Sequence, residues 1–241
     1  MTENIKTISD KASEKIDFSE ALPAFSVLMR KVYMWMTFAL LITGGTSYLV
    51  ASMPNVISTV ITNQILFYGL LITELVLVVW ISAALHKLSL LQATMIFITY
   101  AILNGITLSL LLLIYTEQSI TTVFFLTAAT FAVMSLWGYT TGADLSTMGK
   151  LCTMGLIGLI LATIVNLFLN NGFLMMILSY IGVIVFVGLT AYDTQKIKTM
   201  LCQAEEPDEE YQKLALMGAL TLYLDFINLF IYMLRIFGSR K

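Results

Sequence analysis

The sequence predicts an all-α polytopic membrane protein of seven transmembrane helices. Three observations carry this. Hydrophobic residues make up 59% of the 241-residue chain and charged residues only 12%, against about a quarter charged in an ordinary soluble domain. The apolar residues gather in runs of roughly 19–25, long enough to cross a hydrocarbon core of about 30 Å at 1.5 Å per residue. Short polar breaks with turn chemistry separate the runs, among them Met53-Pro54-Asn55, Gly142-Ala143-Asp144 and Asn170-Asn171-Gly172.

In chain order, residues 1–22 read as a polar cytoplasmic tail in which Glu3, Asp10, Glu14, Asp17 and Glu20 alternate with Lys6, Lys11 and Lys15. Mixed charge without an apolar run favours a solvated segment. No apolar core follows a basic start, so no cleaved signal peptide is expected. Residues 23–241 form the bundle. Spans are expected over 32–52, 63–85, 90–114, 120–138, 151–169, 173–194 and 213–237, and no internal repeat is visible.

Basic residues set the expected orientation. Arg30, Lys31, Lys87, Lys150, Lys196, Lys198 and Lys213 flank alternate ends of the spans, while the breaks at 54–62, 115–119 and 170–172 carry none. That alternation places the N-terminus in the cytoplasm. Arg235, Arg240 and Lys241 conflict with it, because seven crossings leave them on the opposite side. Either the seventh segment spans against the rule or it re-enters; an uninterrupted apolar run favours spanning.

Composition also excludes several chemistries. A net charge of −2 offers no basic face for nucleic acid, and Cys152 and Cys202 have no metal-ligand spacing. His86 is the only histidine, which leaves little room for histidine-based triads or metal centres. Neither an enzyme nor a resident cofactor is expected.

Three carboxylates fall inside apolar runs: Glu74 in the second span, Asp193 at the end of the sixth and Asp225 in the seventh. Each costs about 2.5–3.5 kcal/mol at the bilayer centre, so such groups face the bundle interior and mark a functional path or a helix–helix polar contact. In the seventh span Gly218, Thr221, Asp225, Asn228, Tyr232 and Arg235 recur at spacings of three and four, one stripe along a helix. This stripe either lines an interior path or forms a packed polar seam against one neighbour; its length favours a helix surrounded by others. Asp193 and Asp225 enter from the same side, so they are expected to meet. Two carboxylates in a low-dielectric site cannot both ionise cheaply and share one proton; deprotonated, they offer oxygen ligands for a transient Ca²⁺ contact. Asp225 lies about 18 Å along the helix from Lys213, so the pairing requires Asp193 to sit well inside the bundle. The acidic cluster Glu205, Glu206, Asp208, Glu209 and Glu210 reads as a solvated loop. Asn104 and Asn166 read as interhelical hydrogen-bonders.

"GLTAYDTQKIK" (188–198) and "ALTLYLDFINLFIYMLRIFG" (219–238) closely resemble the hallmark segments of the Bax inhibitor-1, or transmembrane Bax inhibitor motif, family. "FSVLMRKVYMWMTFALLITG" (25–44) and "ELVLVVWISAALHKLS" (74–89) resemble its first two helices. The resemblance covers nearly the whole chain after residue 23 and suggests a bacterial member, multi-pass in the inner (plasma) membrane. It implies seven helices with the last surrounded by the other six. It also implies a pH-sensitive calcium leak, with Asp193 and Asp225 as the proton-sensing pair and Glu74 on the ion path. Thr221 and Asn228 are candidate neighbours on that path. The resemblance further implies a second-helix arginine that latches onto the pair, but Ala84 or Leu85 stands in its place. His86 or Lys87 could substitute only if the helix were rotated or shifted.

Three functions are therefore weighed: a pH-gated calcium or cation leak in the lipid bilayer; a non-catalytic regulator of a membrane-bound ATP-dependent protease in a stress response; and, remotely, an intramembrane aspartyl protease. The last is similar to the presenilin type in having two aspartates on successive helices, but Tyr223-Leu224 precedes Asp225 where that family has Gly-x-Gly.

Overall fold

The structure, a computed structural model, describes residues 18–204 and 206–241. Most of the segment read as a polar tail, residues 1–17, lies outside the described residues. Eight helices follow: α1 (Phe18–Ala51), α2 (Pro54–Thr62), α3 (Gln64–Ala84), α4 (Leu90–Ile114), α5 (Glu117–Thr140), α6 (Ser146–Leu169), α7 (Gly172–Leu201) and α8 (Glu209–Phe237), with a 3₁₀ turn at Leu85–Lys87. Seven are long and apolar enough to cross a membrane. The eighth, α2, is the element the sequence reading had as a loop. Pro54 starts it, as a residue with no N–H to lose can. Its polar residues Asn55, Ser58 and Thr59 face outward while Ile57 and Val60 are buried.

Side chains written in the sequence fix the helix starts. Ser89 and Gln92 form a reciprocal capping box at α4. Asn171 accepts from the N–H groups of Phe173 and Leu174 at α7. Asp208 accepts from Tyr211 N at α8. The acidic cluster is therefore not all loop: Glu209 and Glu210 lie in the first turn of α8, where the helix dipole favours negative charge. Glu209 Oε1 also accepts from Leu90 N at 3.0 Å. Between α6 and α7, Asn170 takes a left-handed conformation with φ 47°.

The long helices form two half-shells around α8. One half is α1 packed on α4, with α3 outside α4; the other is α5 packed on α7, with α6 outside α7. The halves meet through α8, a small contact between α1 and α7, and side-chain contacts of α1 with α5. α8 is the most enclosed span: 61% of its apolar window is buried, against 11–39% for the others. The ring around it is nonetheless incomplete. α8 packs chiefly on α1, α4, α5 and α7, and its face Met217, Thr221, Leu224, Asn228 and Ile231 is only partly buried.

The C-terminal residues lie at the far end of the bundle from the start of α8, as a spanning seventh segment requires. Arg240 pairs with Tyr115 in an antiparallel bridge, and Lys241 N donates to Ile114 O at 2.9 Å. Lys241 Nζ donates to Leu112 O at 2.7 Å, satisfying a carbonyl in the last turn of α4. The chain end thus sits at the α4–α5 turn, opposite the end where Lys31 meets Gln212 and Lys213 meets Leu88. Two of the three cations that break the orientation rule are engaged locally: besides Lys241, Arg235 lies over the Tyr232 ring, 5.5 Å from its centroid.

α5 lies close against α7 where Gly138 meets the backbone of Ala191. A side chain there would overlap the Ala191 carbonyl. Gly138→Val is expected to lower stability by about 1–3 kcal/mol, the usual range for overpacking, read as a lower Tm in detergent; an unchanged Tm would show that this contact does not fix the α5–α7 spacing.

Candidate functional site

Asp193 is not at the membrane exit. α7 continues eight residues beyond it to Leu201, about 12 Å of helix, so the carboxyl sits well inside the bundle, as its pairing with Asp225 requires. Gly218 packs at Ile197 and Gly182 lies against the ring of Tyr232; these contacts fix the antiparallel register of α7 and α8. In that register Asp193 and Asp225 fall within about one turn of each other, and their carboxyl groups lie side by side. Asp225 is 4% exposed, and its Oδ2 is buried with no hydrogen-bond partner among the described residues. Two bare carboxylates would leave that oxygen unpaired and repelled, whereas a proton between the carboxyls would satisfy it.

The stripe on α8 proves to be a seam along α7. Gly218 meets Ile197, the Tyr232 ring stacks on Phe186, and Arg235 reaches Met175, all on α7. Thr221 and Asn228 do not reach the carboxyl pair with their hydrogen bonds. Thr221 Oγ1 donates to Met217 O at 3.1 Å and Asn228 Nδ2 to Leu224 O at 2.8 Å, each on α8 itself.

Glu74 belongs to a second cluster. Thr107 Oγ1 donates to its Oε1 at 2.5 Å and Asn104 Nδ2 to its Oε2 at 3.3 Å. Tyr223 OH donates to Asn104 Oδ1 at 3.1 Å and lies 2.7 Å from Thr43 Oγ1, which in turn donates to Ala101 O. This chain of groups ties α3, α4, α8 and α1 together. Tyr223 and Asp225, two residues apart, project about 200° apart around α8, so the two carboxyl sites use different faces of one helix. The sequence pointed to Asn104 as an interhelical group but not to Tyr223 or Thr43, because a tyrosine in a Leu/Phe-rich span looks like packing. Asn166 instead accepts from Asn171 N at 3.1 Å in the α6–α7 turn.

Neither candidate replacement for the latch is placed to act. α3 ends at Ala84, Leu85 is buried, and His86 and Lys87 are exposed beyond it. The cation acting on Asp193 is Lys196, one turn along its own helix. Among the described residues no three or more His, Cys, Asp or Glu side chains are grouped to hold a metal ion; the carboxyl pair offers a passing cation a contact, not a coordination cage.

A profile of the family described as "Inhibitor of apoptosis-promoting Bax1" matches residues 26–241. The inner membrane protein YbhL of Escherichia coli is 49% identical over 214 residues, covering 88% of this chain and 92% of the relative. An uncharacterized protein of Rickettsia prowazekii is 42% identical over the full length of both chains, and one of Borreliella burgdorferi 40% over 88% of this chain and 92% of its own. The chain belongs to the Bax inhibitor-1 family.

Proposed function

We propose that the protein is a pH-sensitive cation leak, carrying Ca²⁺, gated by the Asp193–Asp225 pair in a bacterial inner membrane, with the N-terminus cytoplasmic. The observation that carries this reading is the buried Oδ2 of Asp225, which has no hydrogen-bond partner among the described residues and lies beside the Asp193 carboxyl. With one proton shared, the pair holds α7 against α8. When pH rises and the proton leaves, two like charges confront each other in a low-dielectric seam and push the helices apart. Flux therefore increases with pH. The inner-membrane placement rests on the name of the Escherichia coli relative, and the orientation on the basic end at Lys31, Lys87, Lys198 and Lys213.

Glu74 supplies a second carboxyl on the path. Its oxygens are held by Thr107 and Asn104, so a cation meeting it displaces hydrogen bonds rather than an ion pair. Regulation of a membrane protease is compatible with such a leak; no feature of the described residues favours it over the carboxyl pair.

Calcium influx into proteoliposomes of defined orientation tests the gate. The wild-type rate should climb with pH by up to about tenfold per unit below the midpoint of the pair, the limit for one titrating proton. Asp193→Asn and Asp225→Asn should flatten that profile; a profile unchanged in both variants rules the sensor out. In the same assay Glu74→Gln should reduce flux several-fold with little change in Tm, since the amide still accepts from Thr107. Tyr223→Phe strands Thr43 and Asn104 and should cost about 1–3 kcal/mol of stability. A Glu74→Gln protein that conducts like wild type would remove Glu74 from the path.

A further inference from the structure

We propose that the cleft between α1 and α5 is a phospholipid site, with Arg30 binding the headgroup phosphate and one acyl chain lying over Phe226. The two half-shells do not close along this seam. A cavity of about 610 Å³ runs between Met29, Met36 and Leu40 on α1 and Ala128 and Ala132 on α5, floored by Phe226 of α8. A second, of about 270 Å³, continues from Leu40 past Phe124 toward Phe230. Phe124, 40% exposed, stands between them and packs edge-on against Phe226 and Phe230. Toward the basic end the two walls of the cleft touch through the Tyr33–Ser135 hydroxyl contact of 2.7 Å and the stacking of Phe25 on Tyr139; Tyr33, Ser135 and Tyr139 line the same cavity as Arg30.

Charge and length both identify the occupant. Lys31, Lys198 and Lys213, at the same end, donate to Gln212 Oε1, Tyr139 O and Leu88 O. Arg30 instead is exposed at the mouth of the cleft and bonds to none of the described residues. It immediately precedes the apolar part of α1, which puts a guanidinium at headgroup depth, where it binds phosphate in a forked geometry. From Arg30 to Leu40 is about 15 Å along the helix, half of a hydrocarbon core of about 30 Å, the depth of one leaflet's acyl chain. An anionic headgroup is favoured, because Arg30 adds attraction that a choline cation offsets. The occupant would rest on Phe226, the neighbour of Asp225, so the cleft is also a route by which lipid composition reaches α8.

The test uses the full chain in nanodiscs of equal phosphatidylglycerol and phosphatidylcholine, with retained lipid counted by native mass spectrometry after release. Wild type should retain phosphatidylglycerol preferentially. Arg30→Gln should reduce that retention about fivefold, the effect of one basic side chain near an anionic surface, while Arg240→Gln, an exposed arginine at the opposite end, should not. Ala132→Phe, which fills the acyl space, should lose retained lipid of either headgroup. Should Ala132→Phe fail to fold, the Arg30→Gln arm alone decides, since Arg30 is exposed and bears no packing. Equal phosphatidylglycerol retention in Arg30→Gln and wild type overturns the proposal, as does a second copy of the chain retained in place of lipid.

Discussion

Asp225 lies in the most enclosed helix of the bundle, and a buried carboxyl oxygen without a donor survives in a bilayer only if something nearby supplies a proton. Asp193 is that neighbour, and much of the surrounding structure places it there. α7 must run on past Asp193 for two more turns, so that the carboxyl lies at depth rather than at the surface. The glycines at 182 and 218 must let α7 and α8 approach until their register brings the carboxyls together. Gly138 must let α5 close on α7 from behind. The energy at stake is large beside ordinary packing terms, because an unpaired polar group in the interior costs more than a typical hydrogen bond contributes.

The second carboxyl site shows a different solution to the same problem. Glu74 is surrounded by side-chain donors on α4, which are fixed in turn by Tyr223 and Thr43. Hydrogen bonds there cross from α3 to α1 through α4 and α8, holding one half-shell to the central helix. The carboxyl pair holds the other half-shell to the same helix from another face. α8 is therefore met from two directions by polar groups of unlike kind: one a network with several members, the other a pair of facing carboxyls.

Much of this was legible in the residues. Run length and charge poverty fix seven spans, and Ser89, Asn171 and Asp208 mark where three of them begin. Asp193 and Asp225 were readable as a pair because carboxylates in apolar helices are rare and costly. The short helix α2 was hidden by Pro54, which reads as a turn although it also suits the first position of a helix. The stripe on α8 was visible, but its partner was not: spacing shows that six residues share a face, not whether that face meets a cavity or one helix. Tyr223 was missed for a related reason, since a hydroxyl matters only once Thr43 and Asn104, distant in sequence, are brought to it. The seam beside α1 depends on which helices fail to touch, and periodicity carries no signal for that.

The short bridge between Arg240 and Tyr115 has a mechanical consequence. It fastens the end of α8 to the turn that joins α4, in one half-shell, to α5, in the other. Any parting of the halves must therefore pivot at this fastened end, like shears about a rivet. Displacement grows with distance from the rivet and is greatest at the basic rim, where Lys31, Lys198 and Lys213 bond across neighbouring elements. A small separation at the depth of the carboxyl pair becomes a larger one at that rim, which makes the rim the place to attach probes that report motion.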